Sequence, residues 1–140
     1  MDDSLIPPCP ADFAVGRPLR ILLAEDQAPN QVAVRGLLRR LGYRIDIVSN
    51  GREALEAAGR RDYDVVLMDV EMPVMDGLEA ASRLRRGRAP RQGPRIIALT
   101  GGAAEGDREL CRAAGMEDFL AKPVRAEDLA RVLDRCHAEV

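Results

Sequence analysis

Tryptophan is absent from this chain, and its 140 residues include only two tyrosines, two phenylalanines, one histidine and one lysine. Four scattered rings are too few for a base-stacking platform. Three cysteines, Cys9, Cys111 and Cys136, form an odd set without C-x-x-C spacing. With His137 alone beside them they supply neither a disulfide framework nor a zinc site. No apolar run approaches the roughly 20 residues of a bilayer span, and no N-terminal stretch resembles a signal peptide. Basic and acidic residues nearly balance, 21 against 23, so no global field draws the chain to nucleic acid or anionic lipid. The expectation is a soluble, cytoplasmic chain with reduced thiols, no direct nucleic-acid contact and no membrane insertion.

What is present is globular: 46% apolar and 31% charged residues at a length that suits one domain with a real core. Residues 1–18, with Pro7, Pro8, Pro10 and Pro18 among Asp2, Asp3 and Asp12, show no periodicity and read as a flexible Pro-rich tail or linker. The folded domain is expected over 19–138. Within it, Ile21-Leu22-Leu23-Ala24, Val65-Val66-Leu67-Met68 and Ile96-Ile97-Ala98-Leu99 are short apolar runs, the signature of strands buried on both faces of a parallel sheet. Arg44 to Val48 and Glu117 to Leu120 are more polar and suit the two edge strands.

Helical spacing falls between the strands. Val34, Leu37, Leu38 and Leu41 recur at i, i+3, i+4 and i+7, as do Leu129, Val132, Leu133 and Cys136. Weaker stripes are Ala54, Leu55 and Ala58; Leu78, Ala81 and Leu84; and Leu110, Ala113 and Ala114. Pro29 suits a first helical turn, Asp76 to Glu79 reads as a capping box, and Gly42 and Gly115 stand where helices end. Five strand-then-helix repeats with short connections predict a doubly wound α/β domain, one five-stranded parallel sheet with helices on both faces.

Ligands of such sheets sit beyond the carboxyl ends of the strands. Those ends carry Glu25 and Asp26, then Asp69, then Thr100, then Lys122. Crowded carboxylates repel unless a cation joins them, and all-oxygen ligation without His or Cys points to Mg²⁺. A carboxylate beside Mg²⁺ can act as nucleophile towards a phosphoryl group. Lys122 and the Thr100 hydroxyl would then position that group and offset its charge. The lysine is conspicuous because the other 20 basic residues are arginines, and a compact ammonium is not interchangeable with a guanidinium.

In their order, Leu23-Ala24-Glu25-Asp26, Val66-Leu67-Met68-Asp69, Met72-Pro73-Val74-Met75-Asp76-Gly77, Ala98-Leu99-Thr100 and Phe119-Leu120-Ala121-Lys122-Pro123 closely resemble the receiver domain of bacterial two-component response regulators. The wording is closest to receivers of hybrid histidine kinases. The resemblance covers about Arg20 to Cys136 and implies a flavodoxin-like sheet of order 2-1-3-4-5. It implies that Asp69 accepts a phosphoryl group from a histidine kinase or histidine phosphotransfer protein. Glu25, Asp26, Asp69 and the backbone carbonyl of Glu71 would hold Mg²⁺, Lys122 would contact the phosphoryl group and its bond to Pro123 would be cis, and Thr100 and Phe119 would form the switch. Such a domain is a signalling switch and not an enzyme, though slow self-dephosphorylation is expected. It leaves homodimerisation open.

Three positions depart from the common pattern. Gln27 replaces the usual Asn, Gly101-Gly102 follow Thr100, and Glu71 brings an acid beside the acceptor, from which an altered phosphoryl lifetime is expected. No effector follows the last helix, which suggests either a free-standing receiver or, preferred here, one cut from a hybrid kinase. Other residues have plainer readings: Asp76 as a helix cap, Cys136 as core, His137 as exposed tail. The six arginines from Arg83 to Arg95 read as a solvated helix end and loop. Two other functional classes compete. An aspartyl-phosphate phosphohydrolase of the haloacid dehalogenase kind needs a second Asp where Glu71 stands, and a phosphorylation-independent docking module would not need the intact acids, Thr100 and Lys122.

Overall fold

The structure, a computed structural model, describes residues 19–86, 93–101 and 105–139. The 1–18 tail with Cys9, and Arg88, Arg91, Gly102 and the His137 side chain, lie outside the described residues. Five strands alternate with five helices: β1 (Ile21–Ala24), α1 (Ala28–Arg40), β2 (Ile45–Val48), α2 (Gly51–Arg60), β3 (Val65–Asp69), α3 (Gly77–Arg85), β4 (Arg95–Thr100), α4 (Glu105–Ala113), β5 (Asp118–Ala121) and α5 (Ala126–Glu139). The strands pair in parallel in the order β2-β1-β3-β4-β5. The polar strands β2 and β5 thus form the edges, and the apolar runs of β1 and β3 are buried at every residue.

Alternation along each strand sorts side chains between two cores. Leu23, Leu67 and Leu99 face α1 and α5, where Val34, Leu38, Leu129 and Leu133 meet them. Leu22, Val66, Met68, Ile96 and Ala98 face the other way, against Ala54 of α2, Ala80, Ala81 and Leu84 of α3, and Cys111 and Ala114 around α4. Cys136 is buried in the first core, as its stripe predicts.

The stripe read for α4 needs correction. Leu110 is 59% exposed and Ala113 is exposed, while Cys111 is buried beside Ala114. The helix is turned by about one residue, so that small side chains meet the sheet and Leu110 faces the cleft at the strand ends. Asp76 caps α3, its Oδ1 accepting the Glu79 N–H at 2.9 Å, but the Glu79 carboxylate turns to Arg83, so half of the expected box forms; Gly42 and Gly115 have φ of 92° and 97°. Glu79 pairs with Arg83 at 2.7 Å. A fuller cap stands at α2, where Asn50 Oδ1 accepts the Glu53 N–H at 2.8 Å and Glu53 Oε1 accepts the Ser49 N–H at 2.7 Å.

Within the arginine run, Arg83 and Arg86 are exposed as expected, whereas Arg85 and Arg95 are partly buried. Arg85 and Arg95 both hold Glu117, whose Oε1 also accepts the Ile96 N–H at 2.9 Å. Arg85 Nε donates to the Gly115 carbonyl at 3.1 Å. Together they tie α3, β4 and the turn into β5 at the end of the sheet remote from the strand carboxyl ends.

Candidate functional site: a carboxylate cleft at the strand ends

A cleft of about 750 Å³ opens over the carboxyl ends of β1, β3 and β4, and Asp26, Asp69, Glu71, Thr100 and Lys122 line it. One carboxylate oxygen each from Glu25, Asp26 and Asp69 lies within 4.8 Å of the others. The crowding follows from the pairing. β1 and β3 are adjacent with Ala24 opposite Met68, so the residues that follow these partners emerge side by side.

Glu25 is fully buried. Its backbone extends the β1–β2 pairing through Glu25 N–H to the Val48 carbonyl at 3.0 Å, and Gln31 Nε2 donates to its carbonyl at 2.6 Å. Its Oε2 accepts the Gln27 N–H at 3.1 Å. Asp69 is 4% exposed; its Oδ1 accepts the Glu71 N–H at 3.2 Å. Lys122 Nζ stands 2.9 Å from Asp69 Oδ2 and 3.2 Å from Glu25 Oε1. Its backbone N–H donates to the Thr100 carbonyl at 2.8 Å, and its bond to Pro123 is cis, as the resemblance implies.

Burial pushes the Asp69 carboxyl up to about 6, against the opposing hydrogen bond from Lys122 and with help from the Glu25 charge. Burial raises Glu25 too, but the Gln27 N–H and the Lys122 charge outweigh it and leave this carboxyl below its ordinary value. Burial lowers Lys122, and the two carboxylates more than reverse that, so it holds its proton more tightly than a free lysine. Three carboxylates against one ammonium leave the cluster short of positive charge. Glu25 Oε1 is buried and accepts no hydrogen bond despite the nearby ammonium. An all-oxygen donor set with an unsatisfied buried carboxylate oxygen fits a hard divalent cation.

Phe119 does not reach this cleft. It lies opposite Ala98 in the β4–β5 pairing and packs half-buried in the second core. Arg108 and Arg112 of α4 stand over its ring at 5.6 and 5.3 Å from the centroid. Sequence reading missed this pair, and it missed the cleft's apolar wing of Met72, Pro73, Leu78, Leu110 and Cys111. The clue available was the i, i+4 spacing of Arg108 and Arg112. Gln27 caps α1 without a side-chain hydrogen bond. Asp76 is used by its cap and joins no acidic cluster among the described residues.

No helix among the described residues is long and apolar enough to cross a membrane. The family model "response regulator receiver domain" matches residues 21–134. The chain is 43% identical over 122 residues to hybrid signal transduction histidine kinase H of Dictyostelium discoideum, covering 84% of this chain and only 9% of that kinase. The crystal structure of the receiver domain of a sensor histidine kinase from Pseudomonas aeruginosa PAO1, with a magnesium ion coordinated in its active-site cleft, matches with a TM-score of 0.78 and 44% identity over 86% of this chain and 98% of that one. The receiver domain of Ssk1 of Saccharomyces cerevisiae, solved with the histidine phosphotransfer protein Ypd1, matches with a TM-score of 0.78 and 26% identity over 87% and 92% of the two chains. With the sheet order, the carboxylate cleft and the family match in agreement, this chain belongs to the response regulator receiver domains.

Proposed function

We propose that Asp69 is the phosphoacceptor of this receiver and that its donor is a histidine kinase or a histidine phosphotransfer protein. The observation that carries the reading is the setting of Asp69: a recessed carboxylate whose Oδ2 lies 2.9 Å from the single lysine, beside two further acids. A carboxylate oxygen of Asp69 attacks the phosphorus of a phosphohistidine. An O–P bond forms as the P–N bond breaks, and the imidazole leaves with the electron pair and takes up a proton from water. Lys122 meets the negative charge on the transferred oxygens, and its compact head is already held between Glu25 and Asp69. Thr100, at the end of β4 and at the edge of the cleft, supplies a hydroxyl for the same oxygens.

Glu25, Asp26, Asp69 and the Glu71 carbonyl are the groups that would hold Mg²⁺. Bound there, Mg²⁺ supplies positive charge against the acids and the incoming phosphoryl group. The magnesium in the cleft of the P. aeruginosa receiver and the unsatisfied Glu25 Oε1 support this assignment. The Ypd1–Ssk1 complex supports a phosphotransfer protein as donor. Slow loss of the phosphoryl group to water is expected of the domain itself. Glu71, exposed at the cleft, is an acid able to alter that rate.

Incubation with phosphoramidate, with and without Mg²⁺, followed by intact mass, tests the reading. An acid-labile phosphoryl adduct is expected on the wild type with Mg²⁺ and none on Asp69→Asn. An equal adduct on the mutant, or none on either protein, would overturn it.

A further inference from the structure

At the pole of the sheet opposite the carboxylate cleft, a groove runs beside the amino ends of β1 and β2. Two adjoining depressions of about 880 and 300 Å³ form it, with Tyr43, Arg44 and Ile45 common to both. Six arginines line it against two acids, Asp46 and Asp62. Asp46 is already engaged, because Tyr63 Oη donates to its Oδ2 at 2.6 Å and Arg61 stands 3.1 Å from the same oxygen. Arg35, Arg39 and Arg44 are exposed, and none of the three has a carboxylate partner among the described residues. A basic side chain in the last turn suits the end of α1, which accounts for Arg39. It does not account for Arg35, in the middle of that helix, or for Arg44, ahead of β2. Guanidiniums gathered in one depression repel one another and favour an anion that enters. Both tyrosines of the chain, Tyr43 and Tyr63, stand in the wall, so the groove offers apolar surface beside its charge.

The occupant follows from where the described fold begins. Leu19 lines the groove, so residues 1–18 join the fold at the groove itself. They carry Asp2, Asp3 and Asp12 against one basic residue, Arg17, and they bring Phe13 and Val15 near Leu19 in sequence. Asp12 precedes Leu19 by seven residues, and at up to about 3.5 Å per residue its carboxylate can travel roughly 20 Å. Neighbouring strands are only about 4.8 Å apart, and Arg20 and Arg44 immediately precede the paired residues Ile21 and Ile45. Arg44 is thus well within reach. Pro7, Pro8, Pro10 and Pro18 reduce the conformational entropy that docking removes, and proline-rich segments seat on aromatic-lined grooves. An exposed ion pair is worth little alone, but a tethered segment meets the groove at an effective concentration in the millimolar range.

We propose that residues 1–18 are the ligand of this groove, with the acids of the segment paired to Arg35, Arg39 and Arg44 and Phe13 covering the tyrosine wall. The segment is thereby strapped to the pole remote from Asp69 and kept clear of the carboxylate cleft.

A spin label tests this on the 140-residue chain. Cys111 and Cys136 are buried, so a thiol reagent attaches at Cys9, and intact mass checks that a single label is present. In amide NMR spectra at low salt, the label should broaden Tyr43, Arg44 and Tyr63 far more than the residues beside Asp69. Arg39→Glu with Arg44→Glu should abolish the difference. So should Asp2→Arg, Asp3→Arg and Asp12→Arg together, which leave the described domain untouched, and the two sets combined should restore it. Chymotrypsin cleavage after Phe13 should run about tenfold faster in either set than in wild type, because cleavage follows the population of the undocked segment. Salt at about 0.5 M should speed wild-type cleavage likewise. Broadening centred on the cleft, or spread evenly over the domain, overturns the proposal. So does wild-type cleavage as fast as that of the reversed variants. Broadening seen only between a spin-labelled copy and a separate isotope-labelled copy places another molecule's segment in the groove, and overturns it too.

Discussion

Gly77 sits so close to Asp69 that a Cβ on it would fall 2.1 Å from the Asp69 carbonyl oxygen and 3.0 Å from Met68 Cγ. The first residue of α3 therefore packs directly on the last residue of β3. Gly77→Ala must push strand and helix apart, at a cost of about 2–4 kcal/mol. Urea denaturation should show the loss of stability, and the rate of labelling by phosphoramidate should fall with it because Asp69 itself moves. A variant as stable as the wild type would mean that α3 shifts freely.

Lys122 is held by Asp69 at 2.9 Å and Glu25 at 3.2 Å. Lys122→Arg keeps the charge but places a broad planar head where a compact one fits. The variant should fold with a melting temperature close to wild type, yet its phosphorylated form should differ in affinity for the domain's partner. Equal partner affinity of the two phosphorylated proteins, measured by calorimetry, would show that charge alone suffices.

The Asp69 carboxyl stands at about 6 against an ordinary 3.8. In metal-free protein its proton is held more tightly folded than unfolded. Its contribution to stability is therefore fully present below about pH 4 and lost as pH rises through 6, a change on the order of 2 kcal/mol. Thermal melts of wild type and Asp69→Asn in EDTA between pH 4 and 7.5 should diverge by that amount, with the mutant gaining relative stability at the upper end. Mg²⁺ at pH 7.5 should reduce the difference. Parallel pH profiles in EDTA would contradict it.

Glu117 holds Arg85, Arg95 and the Ile96 N–H and is not among the residues that line the carboxylate cleft. Glu117→Gln keeps an acceptor for the Ile96 N–H but weakens the grip of Arg85 and Arg95. A loss of about 1–3 kcal/mol is expected for these partly shielded charged bonds. The rate of Asp69 phosphorylation should stay within about twofold, since an effect below 0.5 kcal/mol is usual for a site remote from such a change. A selective loss of phosphorylation at unchanged stability would show coupling along β5.

The three central strands and the polar groups at their ends were legible because β1, β3 and β4 are short apolar runs that lead directly to a functional residue, as in Leu67-Met68-Asp69. Cap residues were legible for the same local reason. What stayed hidden depends on contacts between segments distant in the chain. The rotation of α4 buries Cys111 in the second core and leaves Leu110 exposed, a choice made by packing against distant segments. Glu117 draws in arginines 32 and 22 residues away. Val74 has φ of 70°, which contradicts its residue type, and a local reading of a valine would never place it there.

β3 pairs with β1 on one side and β4 on the other, with Asp69 opposite Leu99 and with Leu67 and Met68 in different cores. A slip of one residue would turn every β3 side chain to the opposite face. It would also withdraw Asp69 from the rim and leave a hydrophobe in its position. A misregistered molecule would thus be unstable and silent at once. Quality control of folding and fidelity of signalling act here on the same few backbone pairings.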